Sequence, residues 1–413
     1  MKLVHFGAGG IGRSFIGQLF SRAGWEIVFV DIDKNIVNEL NRRGRYTVKI
    51  RDKKKESIVV KNVRGVQAQD SKKVRDEITE ADLLSTAVGK TAVPSIVKTI
   101  AEGIIKRREL NPLKPIDIII CENMINAASF FRKSLASYLP ENFPIDEFIG
   151  LVETSISKMV PIMSSRERKK DPLLVYAEAY NTLIVDERGF KGNFPRIPGI
   201  EAKQNMKAWV DKKLYIHNLG HAVLSYTSFV FFPHYKYVWE AVSDSKLHRI
   251  TKEAMWEAGR ALLAEYPDEF RSSDIEKDID DLLLRFGNRV LGDTLYRAGK
   301  DLYRKLGSDD RLIGAIKLCL KHLVSVDNIC LGIACALFFK AVDENGNMFE
   351  QDLMFHKKEV SRGVDHVLSH VCNIKDKDVV DNVKRYYSEL TKEERDIDEI
   401  MQSGHSSKKY TGN

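Results

Sequence analysis

Leu3-Val4-His5-Phe6-Gly7-Ala8-Gly9-Gly10-Ile11-Gly12 is the stretch from which the rest of the chain can be read. A short apolar run leads straight into GxGxxG, and the residues that follow, Ile11 to Ala23, carry apolar side chains at helical spacing. In that setting the first glycine permits a tight turn, the second lets the backbone approach a pyrophosphate, and the third allows helix and strand to pack closely. The helix N-terminus adds free N–H donors and the positive end of its dipole. Phe6, Gly7, Ala8, Gly9, Gly10, Ile11, Gly12 and Arg13 are therefore the expected cradle of a dinucleotide cofactor. The next β-rich run, Ile27-Val28-Phe29-Val30, ends on Asp31, 19 residues past Gly12. A carboxylate there hydrogen-bonds the ribose 2′-hydroxyl of NAD and repels the 2′-phosphate of NADP, so NAD is the expected cofactor. A turn-capping aspartate is the bland alternative.

Outward from this motif, apolar runs at Leu83–Ala87, Ile118–Cys121 and Phe148–Val152 alternate with helical patterns such as Pro94 to Arg107. Such alternation implies βαβ units and a parallel sheet covered on both faces. Two further loops fall at the carboxyl ends of these strands, where open α/β sheets meet their ligands. They contribute Val88, and the pair Glu122 and Asn123, as candidates for the nicotinamide end, with a helix cap as the alternative for Asn123. Residues 45–66 look like a hairpin added to the sheet, and the apolar runs between residues 173 and 186 like further strand. After Pro198 the pattern turns helical through 205–230, 236–264, 274–286, 309–339 and 358–371. The expected fold is α/β: an expanded Rossmann-type dinucleotide-binding domain over residues 1–195, followed by a mainly α-helical substrate domain over 196–402. A polar tail over 403–413 is expected to fray.

The chain has 413 residues, 43% of them hydrophobic and 30% charged, which excludes a mainly disordered or collagen-like polypeptide. No apolar run is long enough for a membrane span, and the N-terminus lacks the pattern of a signal peptide, so a cytoplasmic protein is expected. The net charge of +7 is spread thinly, whereas a nucleic-acid binder gathers its excess on one element. The partners expected are a small anionic substrate and at most further copies of the chain, as a monomer or small homo-oligomer, with neither nucleic acid nor membrane. The five cysteines are too sparse for a disulfide framework and are expected to be buried thiols.

A second informative segment is Lys212-Lys213-Leu214-Tyr215-Ile216-His217-Asn218-Leu219-Gly220-His221. On an α-helix, Lys213, Asn218 and His221 fall within an arc of about 140°. A lysine whose amine is neutral can take the hydroxyl proton of an alcohol while an amide stabilises the oxyanion, with no metal required. His217 and His221 also have the i, i+4 spacing of HExxH, but Asn218 stands where that zinc motif has its glutamate.

The K-x4-N-x2-H pattern of Lys213, Asn218 and His221 resembles the signature of the polyol-specific long-chain dehydrogenases. Val4–Arg13, Cys121–Met124, Phe190-Lys191-Gly192 and Arg304-Lys305-Leu306 extend the resemblance from residue 1 to about 340. It implies a reversible, zinc-free, NAD-dependent oxidation of D-mannitol 1-phosphate to D-fructose 6-phosphate. Lys213 would be the general base, Asn123 and Asn218 oyanion donors, and His221 an orienting group. Two departures stand out: Ser157-Lys158 replaces the family's Asp-Arg pair, and Lys300 replaces an arginine. Arg297, Lys300, Arg304, Lys305 and Arg311 put five cations within fifteen residues, and Arg297, Lys300 and Arg304 are the expected readers of a sugar phosphate. The competing readings are an unphosphorylated polyol or hexuronate as substrate, or a non-catalytic NAD-binding regulator.

Overall fold

The structure, a computed structural model, describes residues 1–52, 56–161, 163, 165–392 and 397–400; the tail at 403–413 lies outside the described residues. The chain divides into two compact units, Met1–Val210 and Asp211–Asn413.

Among the described residues the first unit contains eleven strands: β1 (Lys2–Phe6), β2 (Glu26–Asp31), β3 (Arg45–Ile50), β4 (Glu56–Lys61), β5 (Val63–Gln67), β6 (Leu83–Thr86), β7 (Ile116–Ile120), β8 (Ile149–Ser155), β9 (Val175–Ala177), β10 (Leu183–Asp186) and β11 (Ile200–Lys203). Eight of them form one sheet in the order β11-β10-β8-β7-β6-β1-β2-β5. Its neighbours are parallel except where β10 runs antiparallel to β8. Alternate residues of the central strands feed two cores. Leu3, Ile27, Phe29, Leu83 and Ile119 enter one; Val4, Phe6, Val28, Leu84 and Ile118 enter the other. This burial on both faces is why these strands are continuously apolar.

Two expectations are corrected here. The hairpin of β3 and β4 does not join the main sheet; it forms a separate sheet in the order β4-β3-β9, with β3 pairing β9 in parallel. Its inward side chains Tyr46, Val48, Ile58 and Val60 pack into the first of the two cores, so alternation alone fitted either sheet. The chain after Pro198 is also not yet helical, because Ile200–Lys203 pairs with β10 before the first helix begins.

The second unit is helical. Leu219–Phe231 is apolar around nearly its whole circumference and is buried accordingly. Asp244 caps Ser245–Glu265 by accepting from the N–H groups of Lys246 and Leu247. From the middle of that helix, Glu257 accepts from the N–H groups of Asn328 and Ile329 at the start of Asp327–Ala336. Burial pushes its carboxyl up to about 7. All five cysteines are free and buried. Among the described residues no helix is long and apolar enough to cross a membrane.

Candidate active site

In the first unit, the loops that carry candidate residues leave the carboxyl ends of the adjacent strands β1, β6 and β7. Gly7 has φ +101°, and a Cβ on it would lie 2.5 Å from the Ala87 carbonyl oxygen. A Cβ on Gly12 would lie 2.0 Å from the Gly7 carbonyl oxygen, so strand and helix meet at a distance that only glycine tolerates. Gly9 is different: a Cβ there would meet nothing within 4 Å. It is the exposed point of the turn, open to a phosphate. Gly10 is exposed and Ile11 half-buried, at the start of the helical segment.

The remaining candidates divide by what their atoms touch. Asp31 accepts from the Ala8 N–H at 2.6 Å and from the Asp33 N–H at 2.8 Å, one bond to each carboxylate oxygen. It therefore holds the glycine turn against the end of β2, and each oxygen retains lone-pair capacity for a ribose hydroxyl. The Phe6 side chain is buried in the core, and Ala8 is buried beneath the turn. Arg13 is also buried, donating to the Ala8 carbonyl at 2.7 Å and the Pro172 carbonyl at 2.8 Å, so its guanidinium braces the turn from below. Glu122 accepts from the N–H groups of Val88 and Gly89 at 2.9 and 2.8 Å, fixing the loop after β6. Asn123 is exposed and is not a helix cap: the helix there is Ala127–Ala136, and its N-cap is Asn126. Open space at Gly9, a helix start beside it and a carboxylate at the end of β2 fit a dinucleotide with its pyrophosphate at the turn and its ribose at Asp31.

The helix Met206–Lys212, within which the first unit gives way to the second, leads into a π-helical turn, Lys213–Asn218, before the α-helix Leu219–Phe231. The turn begins at Lys213 and ends at Asn218. Hydrogen bonding from i to i+5 turns the chain less per residue than an α-helix does, so these two residues lie nearer to one face than the α-helical arc predicts. Lys213 is half-buried. Burial and then the positive charges of Arg311 and Arg304 lower its amine to about 8, against the opposing pull of Asp310.

The His221 ring stacks on Phe286, with centroids 4.0 Å apart, and His217 lies 5.2 Å from His221. Burial holds both imidazoles well below their usual range, so both are neutral. His221 Nε2 is 3.8 Å from Asp293 Oδ2, and Asp293 in turn pairs with Arg297 at 3.0 Å. Arg304 pairs with Asp301 at 2.5 Å and reaches Asp310 at 3.5 Å. Lys305 is buried and donates to the Ala298 carbonyl. Arg297, Lys305 and Arg311 all act on His221, while Arg304 and Arg311 act on Lys213, so these cations share one neighbourhood. Lys300 makes different contacts, its ammonium lying 5.0 and 5.3 Å from the ring centroids of Tyr296 and Phe349. Asp293 is a member that sequence reasoning does not find; its i, i+4 spacing to Arg297 is the signal that could reveal it.

At the family's Asp-Arg position, Lys158 is buried and gives its ammonium to the carbonyls of Glu178 and Tyr180 and to Asn181 Oδ1, at 3.2, 2.6 and 3.1 Å. Its charge is engaged in holding the segment after β9.

The mannitol dehydrogenase Rossmann domain matches residues 1–199, and the mannitol dehydrogenase C-terminal domain matches residues 205–394. The chain is 34% identical over 377 residues to mannitol-1-phosphate 5-dehydrogenase of Buchnera aphidicola subsp. Schizaphis graminum (strain Sg), covering 91% of this chain and 94% of that protein. It is 31% identical over 387 residues to the protein of the same name from Enterococcus faecalis (strain ATCC 700802 / V583), covering 93% and 97%. Among solved structures, Pseudomonas fluorescens mannitol 2-dehydrogenase in ternary complex with NAD and D-mannitol superposes with a TM-score of 0.74 at 16% identity, covering 99% of this chain and 95% of that one. A substrate-free D-sorbitol dehydrogenase gives 0.76 at 18% identity, covering 94% and 93%. At those identities the two structures speak for the fold alone. With both domain profiles matched and relatives above 30% identity along nearly its whole length, the chain belongs to the mannitol dehydrogenase family.

Proposed function

We propose that this chain is a cytoplasmic, NAD-dependent oxidoreductase that interconverts D-mannitol 1-phosphate and D-fructose 6-phosphate. The observation that carries the reading is the near full-length similarity to relatives named mannitol-1-phosphate 5-dehydrogenase. The geometry around Lys213 supports the chemistry. NAD, when bound, accepts the hydride. The neutral Lys213 amine takes the proton of the reacting hydroxyl, and the side-chain amide of Asn218 donates to the oxygen as its negative charge grows. Asn123, on the loop after β7, is a candidate oxyanion donor by the family resemblance alone. His221, neutral and stacked on Phe286, orients the substrate's hydroxyls. The glycine turn and Asp31 hold the cofactor, while Glu122 acts through the backbone of Val88 and Gly89.

In this reading the substrate phosphate is taken by Arg297 and Arg304, with Lys300 adding charge. Hydrogen bonds to a charged group contribute roughly 1.5–3 kcal/mol each. After desolvation and ordering, two or three of them should leave a preference of roughly 10²–10⁴-fold for the phosphorylated polyol. The test is loss of NADH absorbance with fructose 6-phosphate, followed by kcat/KM for mannitol 1-phosphate against mannitol. Arg304→Ala should narrow the preference. Equal or better use of free mannitol by the wild type would overturn the phosphate reading and favour an unphosphorylated polyol.

A further inference from the structure

Among the described residues three arginines are almost fully buried: Arg13, Arg107 and Arg311. The first two give their N–H groups to backbone carbonyls, which explains them as braces. Arg311 differs. Its Nε lies 2.6 Å from Asp310 Oδ1, and its Nη1 reaches, at 3.5 Å, the carbonyl of Asn218, the last residue of the π turn. It stands in the loop just before the helix Ile313–Lys321, and that helix packs Gly314 against the ring of Tyr215 within the same turn.

We propose that Arg311 is a positioning residue for the proton transfer: its guanidinium ties the π turn that carries Lys213 and Asn218 to the loop before Ile313–Lys321, and it sets a fixed positive charge beside the lysine. The proposal rests on the reading of Lys213 as the general base. A base that must be neutral to work benefits from a neighbouring cation, because like charge disfavours protonation of the amine. The planar guanidinium can hold a carboxylate and a carbonyl at once while keeping its charge, which a lysine ammonium does with less geometric control.

The other groups around the turn do not supply this charge equally. Arg304 also opposes protonation of Lys213 but ranks below Arg311, and it is shared between Asp301 and Asp310. Asp310 acts in the opposite direction. On the packed helix Ser272–Phe286, Arg285 faces the histidines and pairs with Asp281, while Asp278 holds Lys212. On Ser245–Glu265, Met255 lies against Gly220, and Glu257 is turned to Asn328. His217 and His221 are neutral.

The test compares Arg311→Gln, Arg311→Lys and Asp310→Asn. Two curves are measured for each: the pH profile of kcat/KM for polyol-phosphate oxidation, and the pH dependence of competitive acetylation of Lys213 by acetic anhydride, read by peptide mass without cofactor. In Arg311→Gln both midpoints should move up by about one pH unit or more, the usual effect of removing a like charge nearby. In Asp310→Asn both should move down. Arg311→Lys should keep the midpoint and lose kcat, because the charge stays but the fork is lost. A purely structural Arg311 would lower yield or Tm and leave both midpoints in place, which overturns the proposal. If the acetylation midpoint moves while the kinetic limb stays, Arg311 does act on the lysine and the general-base reading fails instead. Should Arg311→Gln not fold, Arg311→Lys decides: a kept acetylation midpoint with a lower kcat supports the proposal, and an unchanged kcat overturns it.

Discussion

In the proposed reaction Lys213 works as a base only while its amine is neutral, and its surroundings lower that amine to about 8. Below that pH the lysine is protonated and cannot accept the hydroxyl proton; above it the neutral form dominates. For oxidation, kcat/KM should therefore rise with pH up to about 8 and then level, a profile that initial rates across pH 6–10 will show. Lys213→Ala should lose roughly 10²–10⁴-fold in turnover, the usual reach of general-base catalysis, while still quenching on NADH titration as the wild type does. Full turnover in that variant would remove Lys213 from the mechanism. At the other end of the cofactor, Asp31 is both a turn brace and a candidate ribose acceptor. Asp31→Ser should weaken NADH use by about tenfold or more, since a charged hydrogen bond is lost, and raise NADPH relative to NADH. Specificity constants for the two coenzymes measure it, and a wild type that prefers NADPH would refute the assignment.

The π turn is a single element whose register decides what its side chains can share. A sequence reading places Lys213, Asn218 and His221 on one α-helical face, whereas the segment Lys213–Asn218 follows a π-helical repeat. The π register depends on packing around Lys213–Asn218 by the helices Leu219–Phe231, Ser245–Glu265 and Ser272–Phe286, none of which the segment itself encodes. The short helix Leu295–Gly299, which carries Arg297, is equally constrained. A Cβ on Gly299 would lie 2.2 Å from Cζ of the buried Phe339 ring, and the Gly299 carbonyl accepts from the Tyr226 hydroxyl at 2.8 Å. Gly299→Ala should cost about 1–3 kcal/mol by overpacking. For a domain of this size that lowers Tm by roughly 2–4 °C per kcal/mol. The displaced helix should also raise KM for the phosphorylated substrate through Arg297. Calorimetry and steady-state kinetics on the same preparation test both effects, and an unchanged Tm would contradict the packing argument.

Across the whole molecule, what was legible in the sequence follows from how far each signal reaches. The glycine turn, Asp31 and the doubly buried strands are encoded locally, by φ requirements and by continuous apolar runs, and they stand where the motif puts them. The partner of the hairpin could not be read, because β9 pairs with β3 from more than a hundred residues away. The engagement of Lys158 with residues 178–181 and the pairing of Arg297 with Asp293 are likewise products of tertiary packing. Charge clusters revealed candidate cations, but only the structure separates Lys300, which lies over aromatic rings, from Arg304, which acts on Lys213.

The buried cysteines give the molecule a set of built-in clocks. Burial pushes the Cys319 and Cys372 thiols up to about 12, and a thiol reacts as its thiolate from an exposed position. An alkylating probe can therefore modify them only as fast as the surrounding structure opens. With five such positions spread over both units, at Cys121, Cys319, Cys330, Cys335 and Cys372, each modified peptide dates the opening of its own neighbourhood. In native buffer all five should stay unmodified on a timescale that exhausts free cysteine. In rising urea, Cys121 should follow the loosening of the dinucleotide unit, and Cys330 and Cys335, on the enclosed helix Asp327–Ala336, that of the helical one. A saturating dose of NADH should slow the first clock and leave the others running at their own pace, so one mass spectrum reports which half of the protein its cofactor holds shut.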